Sequence, residues 1–240
     1  MGNSACSLTR TDDESDVRNL CDECAWLYAF CREYLFRDQT EEIMQAIFPY
    51  GVVSKHASIL EVGCGPGFYS RRFAQRFPTL RIIGIDRSAR LVSWAQRRAS
   101  ANNLANCVFL KGDVECLSDY VQAVDAVISS RLLLVVANRP TVLAEMFRVL
   151  KPGGRLFLAE PTATFKTQLP LSAMQLITRL IPSSRRHKVP QNAVILPSLE
   201  FEDLVRSQPW SRVSIQMFDD YQCAICEKSP HWQHEMRLSN

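Results

Sequence analysis

The sequence predicts an α/β fold, a doubly wound open sheet, on three observations. Between residues 58 and 159, short apolar runs of strand length alternate with amphipathic helical segments. Those runs are almost continuously hydrophobic, as expected of parallel strands covered by helices on both faces. A glycine-rich turn joins the first run to the first helix, where α/β sheets bind ligands beside the carboxyl ends of their strands.

The elements follow from spacing. Strands are expected over Ser58–Val62, Arg81–Ile85, Cys107–Leu110, Asp125–Ser129 and Arg155–Ala159. Helices are expected over Phe68–Phe77, Ser88–Ala101 and Arg139–Leu150, with a short one between the third and fourth strands. Upstream, Trp26, Leu27, Phe30, Tyr34, Leu35, Ile43 and Ile47 recur at three- and four-residue steps. That period predicts one or two helices, broken near Arg37-Asp38-Gln39 and ending at Pro49. Downstream, a helix at Leu199–Arg206 precedes strands at Arg212–Phe218 and Tyr221–Glu227, joined by a tight Asp219-Asp220 turn. The hairpin makes the last of seven strands antiparallel. One domain therefore spans 17–228, with a helical cap (17–50), a ligand-binding core (55–160) and a lid insertion (162–198) carrying four prolines. Residues 1–16 are polar and acidic and are expected to be a disordered tail, with 229–240 as a second tail.

Composition narrows the function classes. Hydrophobic residues make up 47% and charged residues 22%, which is ordinary for a folded domain. A net charge of +3 without a concentrated basic stripe argues against a nucleic-acid partner. No run reaches the ~20 apolar residues of a membrane span. The N-terminus has no signal-peptide core, so a cytoplasmic protein is expected. Gly2 opens an acylation-like stretch, but Cys6 occupies the place where Ser or Thr is wanted. The nine cysteines are expected to be free or packed thiols in a reducing compartment.

The segment Ile59-Leu-Glu-Val-Gly-Cys-Gly-Pro-Gly67 carries most of the chemistry. Gly63, Gly65 and Gly67 allow a sharp turn and a close backbone approach to a ligand. The pattern is one residue short of the dinucleotide fingerprint and lacks the Lys-Ser/Thr of a phosphate loop. Glu61 also argues against a pyrophosphate and suits a cationic ligand. A tight turn that binds nothing remains the alternative. Asp86 ends the second strand, at the distance after the loop where a carboxylate reaches ribose hydroxyls, or where it could cap the next helix. Asp113, in Lys-Gly-Asp-Val after the third strand, can accept a hydrogen bond from an adenine amino group. Val149-Leu-Lys-Pro-Gly-Gly154 reads as a helix stop and turn into the fifth strand.

With these segments in order, residues 55–160 resemble class I S-adenosylmethionine (SAM)-dependent methyltransferases of the small-molecule type. They are similar to the broad group that contains ubiquinone/menaquinone and arsenite methyltransferases. The resemblance implies a Rossmann-like fold and SAM as cofactor. It implies that Glu61, Gly63, Cys64, Gly65 and Gly67 surround the methionine part. Asp86 would hold the ribose, Arg87 would lie along the adenine, Asp113 and Val114 would meet its edge, and Ser130 would line the pocket. The N-terminal helices would close over the donor, with Tyr28 or Tyr34 as contacts.

Methyl transfer needs mainly orientation, and a general base only where the acceptor must lose a proton. Glu160, at the end of the fifth strand, and His187, in the basic run Ser-Ser-Arg-Arg-His-Lys188, are the candidate acceptor-side residues. His56, His231 and His234 are weaker candidates. Cys21/Cys24 and Cys223/Cys226 form two C-x-x-C pairs, but strand residues three apart face opposite ways, so no metal is expected. The expected partner is a small-molecule acceptor, with a homodimer left open. A protein or RNA methyltransferase and a SAM-binding regulatory protein are the rival readings.

Overall fold

The computed structural model describes residues 25–34, 37–49, 51, 54–162, 195–218 and 220–232. His187, His234, Cys21, Cys24 and most of the 162–198 insertion lie outside them.

Seven strands form one sheet in the order β3-β2-β1-β4-β5-β7-β6. They are β1 (Ser58–Val62), β2 (Arg81–Asp86), β3 (Cys107–Lys111), β4 (Val124–Ser130), β5 (Leu150–Pro161), β6 (Arg212–Met217) and β7 (Tyr221–Glu227). The first five are mutually parallel where they pair, and β7 runs antiparallel between β5 and β6. Chain order reverses direction across the sheet between β1 and β4, which opens the crevice where such folds hold ligands.

Helices α1 (Ala25–Tyr34), α2 (Thr40–Ile47), α3 (Phe68–Arg76), α4 (Ala89–Ala101), α5 (Arg139–Val149) and α6 (Ser198–Arg206) cover the sheet. Their starts are encoded locally. Ser88 Oγ accepts from Leu91 N at 3.2 Å to cap α4, and Asn138 Oδ1 accepts from Thr141 N at 3.3 Å to cap α5. The cap of α4 is thus Ser88, not Asp86.

Two apolar layers result. One holds Ile43, Ile59, Phe73, Ile82, Phe109 and Phe157, and the other Leu60, Val62, Ile85, Val127, Leu143 and Phe201. Alternate residues of a strand enter opposite layers, as the pleat requires. Cys223 lies in the first and Cys226 in the second, so their side chains point away from each other.

Two boundaries differ from expectation. β5 begins at Leu150 rather than Arg155, because Leu150 pairs with Val124 across an irregularity in register. Lys-Pro-Gly-Gly is therefore a bend within the strand, closed by Gly153 N donating to Lys228 O at 3.0 Å and Lys228 N, just after β7, donating to Gly154 O at 2.9 Å. Residues 229–232 also belong to the packed body, since the ring of Trp232 meets that of Phe147 edge-on at 4.9 Å.

Lys228 ties these parts together. It is 4% exposed, and its Nζ donates to the carbonyls of Phe147 and Leu150 at 2.9 and 2.7 Å, at the end of α5. A cation there complements the helix dipole. Lys228→Met should cost about 2–4 kcal/mol, because two buried carbonyls lose a charged donor. A urea melt within error of wild type would remove this assignment.

Candidate active site

The glycine loop is tied to the end of β2 by three backbone N–H groups. Gly63 N and Cys64 N donate to Ile85 O at 2.8 and 3.0 Å, and Gly65 N donates to Asp86 Oδ2 at 2.8 Å. Gly63, Gly65 and Gly67 all have φ between 51° and 72°, the left-handed region that other residues avoid. A Cβ on Gly63 would stand 2.7 Å from Leu132 Cδ1, and one on Gly67 2.5 Å from the Phe109 ring. The loop therefore presents bare backbone against a wall of side chains.

Asp86 serves two segments. Besides Gly65 N, its Oδ1 accepts from Ser88 N at 2.9 Å, tying the loop to the entry of α4. Arg87 beside it is exposed. Asp113 is exposed and its Oδ1 accepts from Glu115 N at 2.9 Å, starting the 3-10 turn Val114–Asp119, in which Val114 is buried. Ser130 is the half-buried last residue of β4. All these residues lie at the carboxyl ends of parallel strands, on one edge of the sheet.

Glu61 is buried, and its Oε2 accepts from Ser70 N at 2.8 Å and from the Ser70 hydroxyl. Burial pushes its carboxyl up to about 7, against the lowering pull of Ser70, Arg32 and Arg71. Glu160 is 1% exposed, and its Oε1 accepts from the backbone N–H groups of Leu132 and Leu133 at 2.9 and 2.8 Å. Its Oε2 is buried without a hydrogen-bond partner. Burial pushes this carboxyl also up to about 7, opposed by those N–H groups and by Arg131.

Other candidates are placed elsewhere. His56 precedes β1, and His231 follows β7 beside the start of β5, so both occupy the opposite edge of the sheet. Tyr34 is 67% exposed and stacks on Phe30 at 5.1 Å, facing outward rather than over the loop. The side chain of Tyr28 lies outside the described residues.

Two buried arginines at this edge of the sheet were missed in the sequence. Arg131, directly after β4, is 8% exposed with φ 61°, and its Nη1 donates to Tyr221 Oη at 2.6 Å. Arg32 on α1 is 5% exposed, with its guanidinium carbon 4.0 Å above the Phe68 ring and 4.4 Å above that of Tyr69. A charge inside Ser-Ser-Arg-Leu-Leu-Leu was the available signal for Arg131. Arg32 offered none, since the rings it lies over are 36 and 37 residues away in the chain.

A family model described as a methyltransferase domain matches residues 53–200, more than half of the chain. The chain belongs to this methyltransferase-domain family, and the resemblance to class I small-molecule methyltransferases is borne out. Trans-aconitate 2-methyltransferase of Deinococcus radiodurans is 32% identical over 118 residues, 49% of this chain and 42% of that protein. Demethylmenaquinone methyltransferase of Symbiobacterium thermophilum is 29% identical over 156 residues, 64% of this chain and 62% of that protein. The chain thus spans less than two thirds of either relative. Among solved structures, phosphoethanolamine N-methyltransferase 2 of Haemonchus contortus, in complex with SAM, superposes with a TM-score of 0.61 at 14% identity. That match covers 87% of this chain and 57% of the other and supports the shared fold.

Proposed function

We propose that the protein transfers the methyl group of SAM to a small-molecule acceptor. The observation that carries this reading is Asp86, whose carboxylate at the end of β2 anchors a loop of three left-handed glycines at the reversal point of the sheet. The donor set fits the cofactor. The missing side chains at Gly63 and Gly67 let the loop lie close against Leu132 and Phe109, and Gly63, Cys64, Gly65 and Gly67 would surround the methionine part together with Glu61. Asp86 would hold the ribose hydroxyls. Arg87 would flank the adenine, Asp113 and Val114 its edge, and Ser130 the pocket wall. When bound, SAM supplies an electrophilic methyl on a sulfonium. The chain's task is orientation and exclusion of water.

Glu160 acts here as a positioning residue, fixing the loop after β4 through Leu132 and Leu133. His187 and the 162–198 insertion remain assigned to the acceptor side. No helix of the described residues is long and apolar enough to cross a membrane. A cytoplasmic location, absence of nucleic acid, and the tail, cap and lid divisions belong to the same proposal.

Calorimetric titration with SAM and with its demethylated product tests this reading. Wild type should bind both, and Asp86→Ala should weaken binding at least tenfold, since a charged acceptor contributes about 1.5–3 kcal/mol. Asp86→Asn should fall between, because an amide oxygen can still receive Gly65 N. Absence of binding by wild type overturns the proposal, and equal affinities across the three remove Asp86 from it.

A further inference from the structure

We propose that the acceptor is a carboxylic acid, bound as its carboxylate between Arg32 and Arg131 and methylated on oxygen to give an ester. This rests on the methyltransferase reading and adds the substrate class.

Two guanidinium groups are buried at the edge of the sheet where the methyl group would be delivered. Arg32 donates from Nη1 to Arg37 O at 3.4 Å, while its Nη2 is buried without a hydrogen-bond partner. Taking a cation out of water costs several kcal/mol unless an anion compensates. Among the described residues no carboxylate stands within ion-pair distance of Arg32, and its neighbours are the rings of Phe68 and Tyr69.

Arg131 belongs to the same cluster. Its backbone N–H bonds Ala159 O at 2.8 Å, which fixes it in a left-handed conformation that a side chain adopts at a cost. Strain of this kind persists where the surroundings enforce it, commonly at sites of function. Its guanidinium reaches Tyr221 at the start of β7 and lies within electrostatic range of Cys31 on α1. Tyr69, under Arg32, is in turn within range of Tyr221. The two cations therefore flank one region beneath α1.

The carboxyls facing them are Glu61 and Glu160, both raised to about 7, so at neutral pH they supply only part of two negative charges. Among the described residues two guanidinium charges thus face two carboxyls that burial pushes toward the neutral form, and a ligand carboxylate would complete the set. A planar fork matches a carboxylate better than a point charge would.

The reaction needs no base. A carboxylate oxygen forms the O–CH3 bond as the C–S bond breaks, the electron pair remains on sulfur, and no proton moves. That agrees with the described histidines lying at the far edge of the sheet. An amine or a phenol would require a proton acceptor.

The test has two parts. The small-molecule fraction of cell extracts is incubated with the full chain and methyl-tritiated SAM, and the product is treated with mild alkali. An ester releases volatile labelled methanol, whereas alkali-stable label overturns the proposal. Separately, wild type saturated with the demethylated donor is melted with carboxylates from malonate to citrate and with the matching amides. The acids should raise Tm above the amides in wild type, less in Arg131→Lys, and not in Arg131→Met. Equal effects of acids and amides, or an undiminished effect in Arg131→Met, overturn the proposal. Loss of a forked charged pair should raise KM for the acid at least about tenfold in Arg131→Met, with affinity for the demethylated donor unchanged. Arg32→Met should show the same split. Calorimetry on wild type separates the two levels. Donor binding with alkali-stable label sinks only the acid, while no donor binding sinks the methyltransferase reading as well.

Discussion

Gly67→Ala should destabilise the domain by about 2–5 kcal/mol and abolish measurable SAM binding. Two independent costs add. A side chain at φ 72° pays roughly 1–2 kcal/mol for the left-handed backbone. The new Cβ would also stand 2.5 Å from Phe109 Cε1 and Cζ and 3.0 Å from Ala95 Cβ, in a packed core where overfilling costs about 1–3 kcal/mol. Phe109 sits on β3 and Ala95 in α4, so neither yields without moving an element. A double variant separates the terms. Phe109→Leu in the Gly67→Ala background should recover the steric part and leave the backbone part. If Gly67→Ala melts with wild type, the loop is not confined as described. Gly63→Ala should be milder for the fold, because its obstacle is the flexible end of Leu132.

Much of this architecture was legible because it is local. The apolar runs at Ile59–Val62 and Ile82–Ile85 name central strands, as they are buried on both faces. The glycine spacing names the turn, since glycine adopts three left-handed positions so close together without steric cost. Asp86 was placed rightly at the end of β2, but its alternative as a helix cap failed because Ser88 is nearer the first free N–H of α4. The early start of β5 escaped notice because Pro152 and two glycines read as a stop signal. There the partner strand, β4, overrides the local signal. The buried arginine cluster was illegible for a similar reason. Arg32 and Arg131 acquire meaning only when α1, α3, β4 and β7 meet, and no spacing in the chain encodes that meeting.

Glu160 is where fold and site depend on the same atoms. Its Oε1 receives both Leu132 N and Leu133 N, and Leu132 forms the wall below Gly63. Glu160→Ala leaves two buried donors unpaired, at about 1–3 kcal/mol each, and frees the loop that carries Arg131. SAM affinity and acceptor affinity should therefore fall together. Glu160→Gln keeps an oxygen for those donors and should retain the loop. The two variants also differ from wild type in pH dependence, with a definite sign. Folding raises the Glu160 pKa from the ordinary 4.5 to about 7, so the native state favours the protonated acid. Below about pH 4.5 both states are protonated and burial of the charge costs nothing. The cost then grows as pH rises to about 7 and is constant above, reaching on the order of 3 kcal/mol. Glu160→Gln, neutral throughout, should gain on wild type across that window, and Glu160→Ala should lose most at its acid end. Urea melts at pH 5 and pH 8 measure this directly. Parallel stability curves for wild type and Glu160→Gln would mean that Glu160 is ionised in the native protein at both pH values. Its second oxygen would then have a counter-charge, and the place for a ligand carboxylate beside the two guanidinium groups would vanish with it.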